Sequence, residues 1–295
     1  MPPESSKQSF AGKGWLKIDA KGLGQAAMVP TMLNQEEQSY YLWLMRDWAQ
    51  GQGAVVDLGS FAGGSAACLA EGIRLAGRNQ IVHGYDKYEV LDFSKFQKRW
   101  TSYMSQPPAS QSGLTPRPLP NHSGEDLRPV VEFLLEPWGA NIALHKGLIE
   151  DMAWDGGDIE VLIMDASKTA ETMDRMSTTF FPYLIPGQSV VVQQDLLHWQ
   201  QPWIAAQMAL LSEHFEPVAY IPRHSVSFLC KKPVTHDQMR TLAVDDMSDK
   251  DMIQALRDLK QALKGFPVDK FMRELVAAIK ANPQKRKAFE FTNHP

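Results

Sequence analysis

The segment Ala54-Val55-Val56-Asp57-Leu58-Gly59-Ser60-Phe61-Ala62-Gly63-Gly64-Ser65-Ala66 constrains the fold more than any other part of the 295-residue chain. A short β-branched run ends in an acid and breaks at Gly59. It resumes after Gly63-Gly64-Ser65 as a small-residue helical pattern through Ala66, Ala67, Leu69, Ala70 and Ile73. The reading is a strand, a tight glycine turn and a helix N-terminus, the unit that holds a nucleotide-like cofactor at the carboxyl end of an open parallel sheet. Glycine suits this turn because it adopts positive φ freely and lets a ligand approach the backbone.

The spacing narrows the cofactor. A dinucleotide fingerprint is G-x-G-x-x-G, whose second glycine admits a pyrophosphate. Here the glycines fall as G-x-x-x-G-G and that second position is Phe61, which argues against NAD or FAD. A second strand, Ile81-Val82-His83-Gly84-Tyr85-Asp86, ends in an acid 23 residues after Gly63. A carboxylate there can accept from both hydroxyls of a ribose diol.

Further strands are expected at 142–145, 159–165 and 189–193, and a last pair, 218–221 and 225–230, is close enough for an antiparallel hairpin. Five strands with intervening helices, then a hairpin, define an α/β fold. It is a doubly wound, mostly parallel, Rossmann-like sheet with an antiparallel edge hairpin and a C-terminal helical extension. The glycine loop, the offset of Asp86 and this order resemble class I S-adenosylmethionine-dependent methyltransferases. The resemblance implies S-adenosylmethionine as cofactor, with Asp57, Gly59, Ser60, Gly63, Gly64, Ser65, Asp86, Gly147, Leu148 and Asp165 as binding residues. Gly59 and Gly63 would face its methionine portion and Asp86 its ribose. His145, with the Gly147-Leu148 backbone, would lie near the adenine.

The chain divides into an N-terminal arm (1–33), a methyltransferase domain (34–233) with an insertion (91–140), and a C-terminal helical extension (234–295). In the arm, Trp15-Leu16-Lys17-Ile18 is a weak apolar patch. Asn34 with Glu37 forms a capping box that opens a helix running to Trp48. From Lys87 to Asn141 the chain takes 55 residues, far more than one crossover helix needs. Helical patterns at 93–104 and 127–135 flank the proline-rich stretch 106–120, where regular structure is precluded. That insertion reads either as a lid near the site or as a solvated loop. Ser248 and Asp251 cap a helix to Leu263, and another runs through Phe271, Leu275 and Ile279.

Chemistry concentrates after the fourth strand, in Leu162-Ile163-Met164-Asp165-Ala166-Ser167-Lys168 and on to Met176. With Phe181-Pro182-Tyr183-Leu184-Ile185-Pro186-Gly187 and Val190-Val191-Val192-Gln193-Gln194-Asp195, it resembles the macrocin O-methyltransferase family over roughly 34–232. The resemblance implies O-methylation of a small sugar-bearing or secondary-metabolite acceptor. It also implies magnesium held by a D-x-D-like strand end and paired acids. Ser167 stands at the second acid, and the fifth strand offers Gln193, Gln194 and Asp195, so no residue is assigned to a metal and magnesium is not favoured. Asp165, Asp195 and His198 are the candidate catalytic residues. His198 would be general base, oriented by Asp195, because imidazole titrates near neutrality. His224 reads as a turn residue.

Composition excludes other classes. A net charge of −4 gives no basic field for nucleic acid, and Lys285-Arg286-Lys287 reads as a solvated tail. No signal-peptide pattern opens the chain and no apolar run spans a bilayer, so the expected location is cytoplasmic, without membrane partners. Cys68 and Cys230 read as small buried hydrophobes. The expected partner is a small-molecule acceptor, with room for a homo-oligomer. The alternative function is an inactive methyltransferase-fold binding or scaffold subunit, which Ser167 and the glutamine pair would suit.

Overall fold

The computed structural model describes residues 9–295; the expectation of no signal peptide concerns Met1–Lys7, which lie outside them. The described chain forms two compact units divided after Leu148.

In the first unit, helix α1 (Gln35–Trp43) opens on the expected capping box. Glu37 N donates to Asn34 Oδ1 at 3.0 Å, and Asn34 N donates to Glu37 Oε2 at 2.7 Å. The helix loosens into a π turn over Leu44–Trp48. Then follow β1 (Ala54–Leu58), α2 (Gly64–Leu75), β2 (Val82–Asp86), α3 (Phe93–Met104), α4 (Arg128–Leu135) and β3 (Ile142–Lys146). β1 pairs parallel with β2 and β2 with β3, in the registers Asp57↔Gly84 and Asp86↔Lys146. Val55, Val56 and Leu58 are wholly buried, as a central parallel strand requires.

The arm before α1 folds into short 3-10 turns, Gly14–Lys17 and Gly24–Met28. Its apolar patch splits: Trp15 and Ile18 are buried while Leu16 faces solvent. Trp15 meets Tyr40 edge-on at 5.0 Å and Trp43 at 5.2 Å. The insertion is stitched shut at its base, where Leu127 N donates to Tyr88 O at 2.7 Å and Val90 N to Glu125 O at 2.8 Å. The insertion therefore starts and ends just beyond the end of β2. Within the stretch expected to be irregular, Ala109–Gln111 makes one 3-10 turn. Buried Ser112 ties that turn to the arm by donating to Met28 Sδ at 3.3 Å.

The second unit contains β4 (Ile159–Met164), α5 (Ala170–Phe180), β5 (Val190–Gln193), α6 (Pro202–Leu210), β6 (Phe215–Ile221) and β7 (Ser225–Cys230). Helices α7 (His236–Thr241), α8 (Asp249–Ala262) and α9 (Asp269–Ala281) follow. β4 and β5 are parallel, and β7 runs antiparallel to both β5 and β6. β6 starts at Phe215, earlier than the expected 218. Pro217 cannot donate to a ladder, and the pairing passes it by a register shift between Pro217 and Ala219. α8 packs on α6 and α9.

The expectation for the basic tail holds for the exposed Lys285 and Lys287 but not for Arg286. Arg286 Nη1 pairs with Asp249 Oδ1 at 2.9 Å, Ala170 N donates to Arg286 O at 2.9 Å, and Ala288 N donates to Lys168 O at 2.9 Å. The tail is an ordered strap on the loop that follows β4. Both cysteines are free and buried, as expected.

The strand order is β3-β2-β1-β4-β5-β7-β6. With β7 alone reversed, this is a doubly wound, mostly parallel α/β sheet with an antiparallel edge pair, as expected. No helix of the described residues is long and apolar enough to cross a membrane.

Candidate active site

The glycine loop of the first unit alternates left-handed residues: Gly59 has φ 95°, Phe61 44° and Gly63 88°. Phe61 adopts this conformation at a cost of about 1–2 kcal/mol for a residue with a side chain. Two contacts hold it there. Phe61 N donates to Asp86 Oδ2 at 3.0 Å, and its ring meets Phe96 of α3 edge-on at 6.1 Å. Tyr88 N donates to Asp86 Oδ1 at 2.7 Å. Asp86 is thus clamped by backbone amides, with Lys87 adding a further backbone hydrogen bond, and a carboxylate has lone pairs enough to accept more than these. Burial pushes its pKa up, and the amides of Tyr88, Phe61 and Lys87 with the Lys87 charge oppose that push without reversing it.

Asp57 lies wholly buried beneath this loop. Ser65 Oγ donates to Asp57 Oδ2 at 2.7 Å, and burial raises the carboxyl to about 7. Asp57 Oδ1, Ser60 Oγ and Tyr88 Oη are buried together at this turn, where Ser60 hydrogen-bonds towards both Asp57 and Tyr88. Buried polar groups gathered around a turn mark a polar site. Tyr88 and Gly84 are missing from the expected set, yet a Cβ on Gly84 would come within 3.0 Å of both Ser60 Oγ and Tyr88 Oη. The available signal was a glycine inside a strand pattern, which marks close approach.

Gly63 and Gly64 are needed for a reason other than ligand access. A Cβ on Gly63 would lie 2.8 Å from Leu135 Cδ1, and one on Gly64 would lie 2.4 Å from Thr31 Cβ. They let α4 and the arm close on the loop. Helix α2 starts at this loop without a side-chain cap, which leaves its first amides and its dipole for an anionic group. Beyond β3, Gly147 N donates to Asp86 O at 3.0 Å and Leu148 is exposed. His145 stacks on Tyr85 at 4.3 Å, and its Nε2 lies 3.1 Å from His83 Nδ1. Of the expected cofactor residues, all but Asp165 therefore lie at the carboxyl ends of β1, β2 and β3.

In the second unit, Asp165 follows β4 and Asp195 follows β5. Lys168 Nζ lies 2.6 Å from Asp195 Oδ2 and 3.7 Å from Asp165 Oδ1. Gln201 Nε2 also donates to Asp195 Oδ2, at 2.8 Å. Burial alone would raise the Asp195 carboxyl, but Lys168 overcomes it and holds the group below the usual carboxylate range. The Asp195 side chain thus engages Lys168 and Gln201, and its link to His198 is a backbone turn, His198 N to Asp195 O at 3.0 Å. Burial lowers the His198 pKa, against the pull of Asp195, so the imidazole is neutral at pH 7. Its ring packs edge-on against His224 at 5.0 Å.

The positions where the resemblance implied further acids face inward. Ser167 is buried, donates to Met173 Sδ at 3.2 Å, and its carbonyl accepts from Trp203 Nε1 at 2.9 Å. Gln193 is buried with its amide 3.4 Å from both Met164 Sδ and Met208 Sδ. Two carboxylates already bridged by an ammonium do not fit a magnesium site, which favours several anionic oxygens around one ion. The strap closes this half: Phe291 packs on Trp203 at 5.9 Å, Gln200 Nε2 donates to Phe291 O at 3.0 Å, and His294 meets Trp199 at 4.8 Å.

No family model matches the chain, and no curated protein does. Among solved structures it is similar to the O-methyltransferase NovP, at 14% identity over 68% of this chain and 82% of that one, TM-score 0.49. It is also similar to the SAH-bound Podospora anserina methyltransferase PaMTH1, at 12% identity over 68% and 80%, TM-score 0.42. A third is a putative rRNA-methylase from Clostridium thermocellum, at 14% identity over 70% and 100%, TM-score 0.40.

Proposed function

We propose that the chain is an S-adenosylmethionine-dependent methyltransferase that methylates a hydroxyl oxygen of a small sugar-bearing or secondary-metabolite acceptor. The observation that carries the reading is the Asp86 carboxylate, clamped by Phe61 N and Tyr88 N beside a G-x-x-x-G-G turn that opens an uncapped helix. A carboxylate so fixed suits a ribose diol, and the helix terminus suits an amino-acid carboxylate. In this reading the Gly59–Gly63 loop and Ser65 take the methionine portion, and Gly147-Leu148 borders the adenine.

When bound, the cofactor supplies an electrophilic methyl group on a sulfonium, a transfer that asks the protein chiefly for positioning and a proton acceptor. Neutral His198 accepts the hydroxyl proton. Lys168 offsets one of the two negative charges of Asp165 and Asp195, so the acceptor meets a polar wall of reduced net charge. The chemistry proposed needs no divalent ion.

A second reading, an inactive binding or scaffold subunit, draws on the same Lys168 bridge, which displaces the acidic metal set that the family resemblance implies. Calorimetric titration with S-adenosylmethionine, S-adenosylhomocysteine and NAD, with and without magnesium, tests both. The methyltransferase reading expects the two sulfur cofactors to bind, NAD not to bind, and magnesium to change nothing. Binding of NAD alone, or of none of the three, overturns it.

A further inference from the structure

The pair of helices α8 and α9 encloses a groove of about 300 Å³ that the methyltransferase reading does not use. Its floor is apolar: Leu256 and Met272 are buried, and Val276 and Ala277 are half-buried. Its rim is cationic on both sides, with Arg257 and Lys260 on α8 and Arg273 and Lys280 on α9. No aspartate or glutamate lines it. Lys260 is paired with Asp269 at 2.9 Å, and Arg257 reaches only Gln254 at 3.5 Å. Among the described residues, Arg257, Arg273 and Lys280 have no carboxylate within ion-pair distance. In a chain of net charge −4 this groove is a local reversal of sign.

We propose that this groove docks an acidic amphipathic helix of a partner protein. An apolar floor flanked by parallel rows of charge is the shape that receives a helix through its i, i+3, i+4 anchors. Arg273 and Lys280 stand seven residues apart on α9, about 10 Å along its axis, so they match acids two turns apart on a helix laid alongside. The concave floor, sunk below the cations, is the wrong relief for a bilayer, which takes protruding apolar side chains. The cations steer and orient the partner, so binding weakens with salt.

The test uses the full chain and its R273E/K280E variant. Both residues are exposed, so the thermal midpoint of the variant should match wild type and report an intact fold. The probes are a fluorescein-labelled helical peptide with a leucine seam flanked by glutamates, its lysine-flanked counterpart, and phosphatidylcholine–phosphatidylglycerol vesicles. The glutamate peptide should bind, lose about tenfold in affinity in the variant and weaken in high salt, while the lysine peptide and vesicles stay unbound. Equal binding of both peptides, binding unchanged in the variant, or no peptide binding overturns the proposal. Vesicle binding lost in the variant would assign the groove to anionic lipid, and a dimer lost in the variant would assign it to a second copy. Either result also overturns the proposal.

Discussion

Lys168 Nζ lies 2.6 Å from Asp195 Oδ2 and ties the loop after β4 to the turn after β5. Lys168 keeps about half of its side chain in solvent, at 55% exposure, so the pair adds little to stability. Its consequence is chemical, because it places a fixed cation between two carboxylates. Turnover should therefore persist in excess chelator. Lys168→Met should leave the two acids unneutralised, lower turnover, and create a magnesium response that wild type lacks. Activity abolished by chelator in wild type and restored by magnesium would contradict this.

The pH profile follows from the direction of the His198 shift. The group acts as a base only when neutral, and burial lowers its pKa below 6.5. The rate should rise with pH through a midpoint below 6.5 and be flat by neutrality. His198→Ala should remove that limb and cost 10²–10⁴-fold in kcat, the usual range for a general base. A profile of unchanged shape in the variant would remove His198 from the reaction.

Buried Asp57 makes folding stability pH-dependent in the opposite sense from a salt-bridged acid. Its carboxyl titrates near 7 when folded, against 3.8 for the free side chain. Between those values the folded state binds the extra proton, so the contribution of Asp57 to stability is greatest below about pH 4 and falls as pH rises towards 7. The full loss is up to roughly 4 kcal/mol. Asp57→Asn keeps an acceptor for Ser65 and should flatten this slope, measured as the difference in thermal midpoint between variant and wild type from pH 4 to 8. Parallel curves would show that Asp57 ionises normally.

The strap should matter to both stability and catalysis. Phe291 is 2% exposed and packs on Trp203. Phe291→Ala should cost about 3 kcal/mol by loss of transfer energy and the cavity left behind. Because Ala288 N holds Lys168 O, the same variant should also lower kcat while leaving affinity for S-adenosylhomocysteine unchanged. Denaturant midpoints and calorimetry separate the two effects.

Much of this was legible in the local pattern. The glycine turn, the capping box at Asn34 and Glu37, the acid ending β2 and the β6–β7 hairpin depend on near neighbours, and each stands where the residues indicated. What was missed depends on distant partners. Lys168 is one lysine in a polar loop, and only the fold brings Asp195 to it. Arg286 looks solvated until Asp249 and the loop after β4 are seen to take its side chain and backbone. Gln193 and Ser167 sit where the resemblance implies metal ligands, but Met164, Met208, Met173 and Trp203 turn both into core. Gly84 and Tyr88 were hidden because a glycine in a strand does not say what approaches it.

Titration of S-adenosylhomocysteine into wild type and Asp86→Ala tests the proposed function most directly. Asp86 is clamped at the end of β2 by Phe61 N and Tyr88 N, and its loss should remove hydrogen bonds to the ribose worth roughly 1.5–3 kcal/mol each. Wild type should bind, and Asp86→Ala should bind at least about tenfold more weakly, with its thermal midpoint lowered because Phe61 N and Tyr88 N lose their acceptor. Unchanged affinity in Asp86→Ala, or no binding to wild type, would contradict the assignment of this loop as the cofactor site.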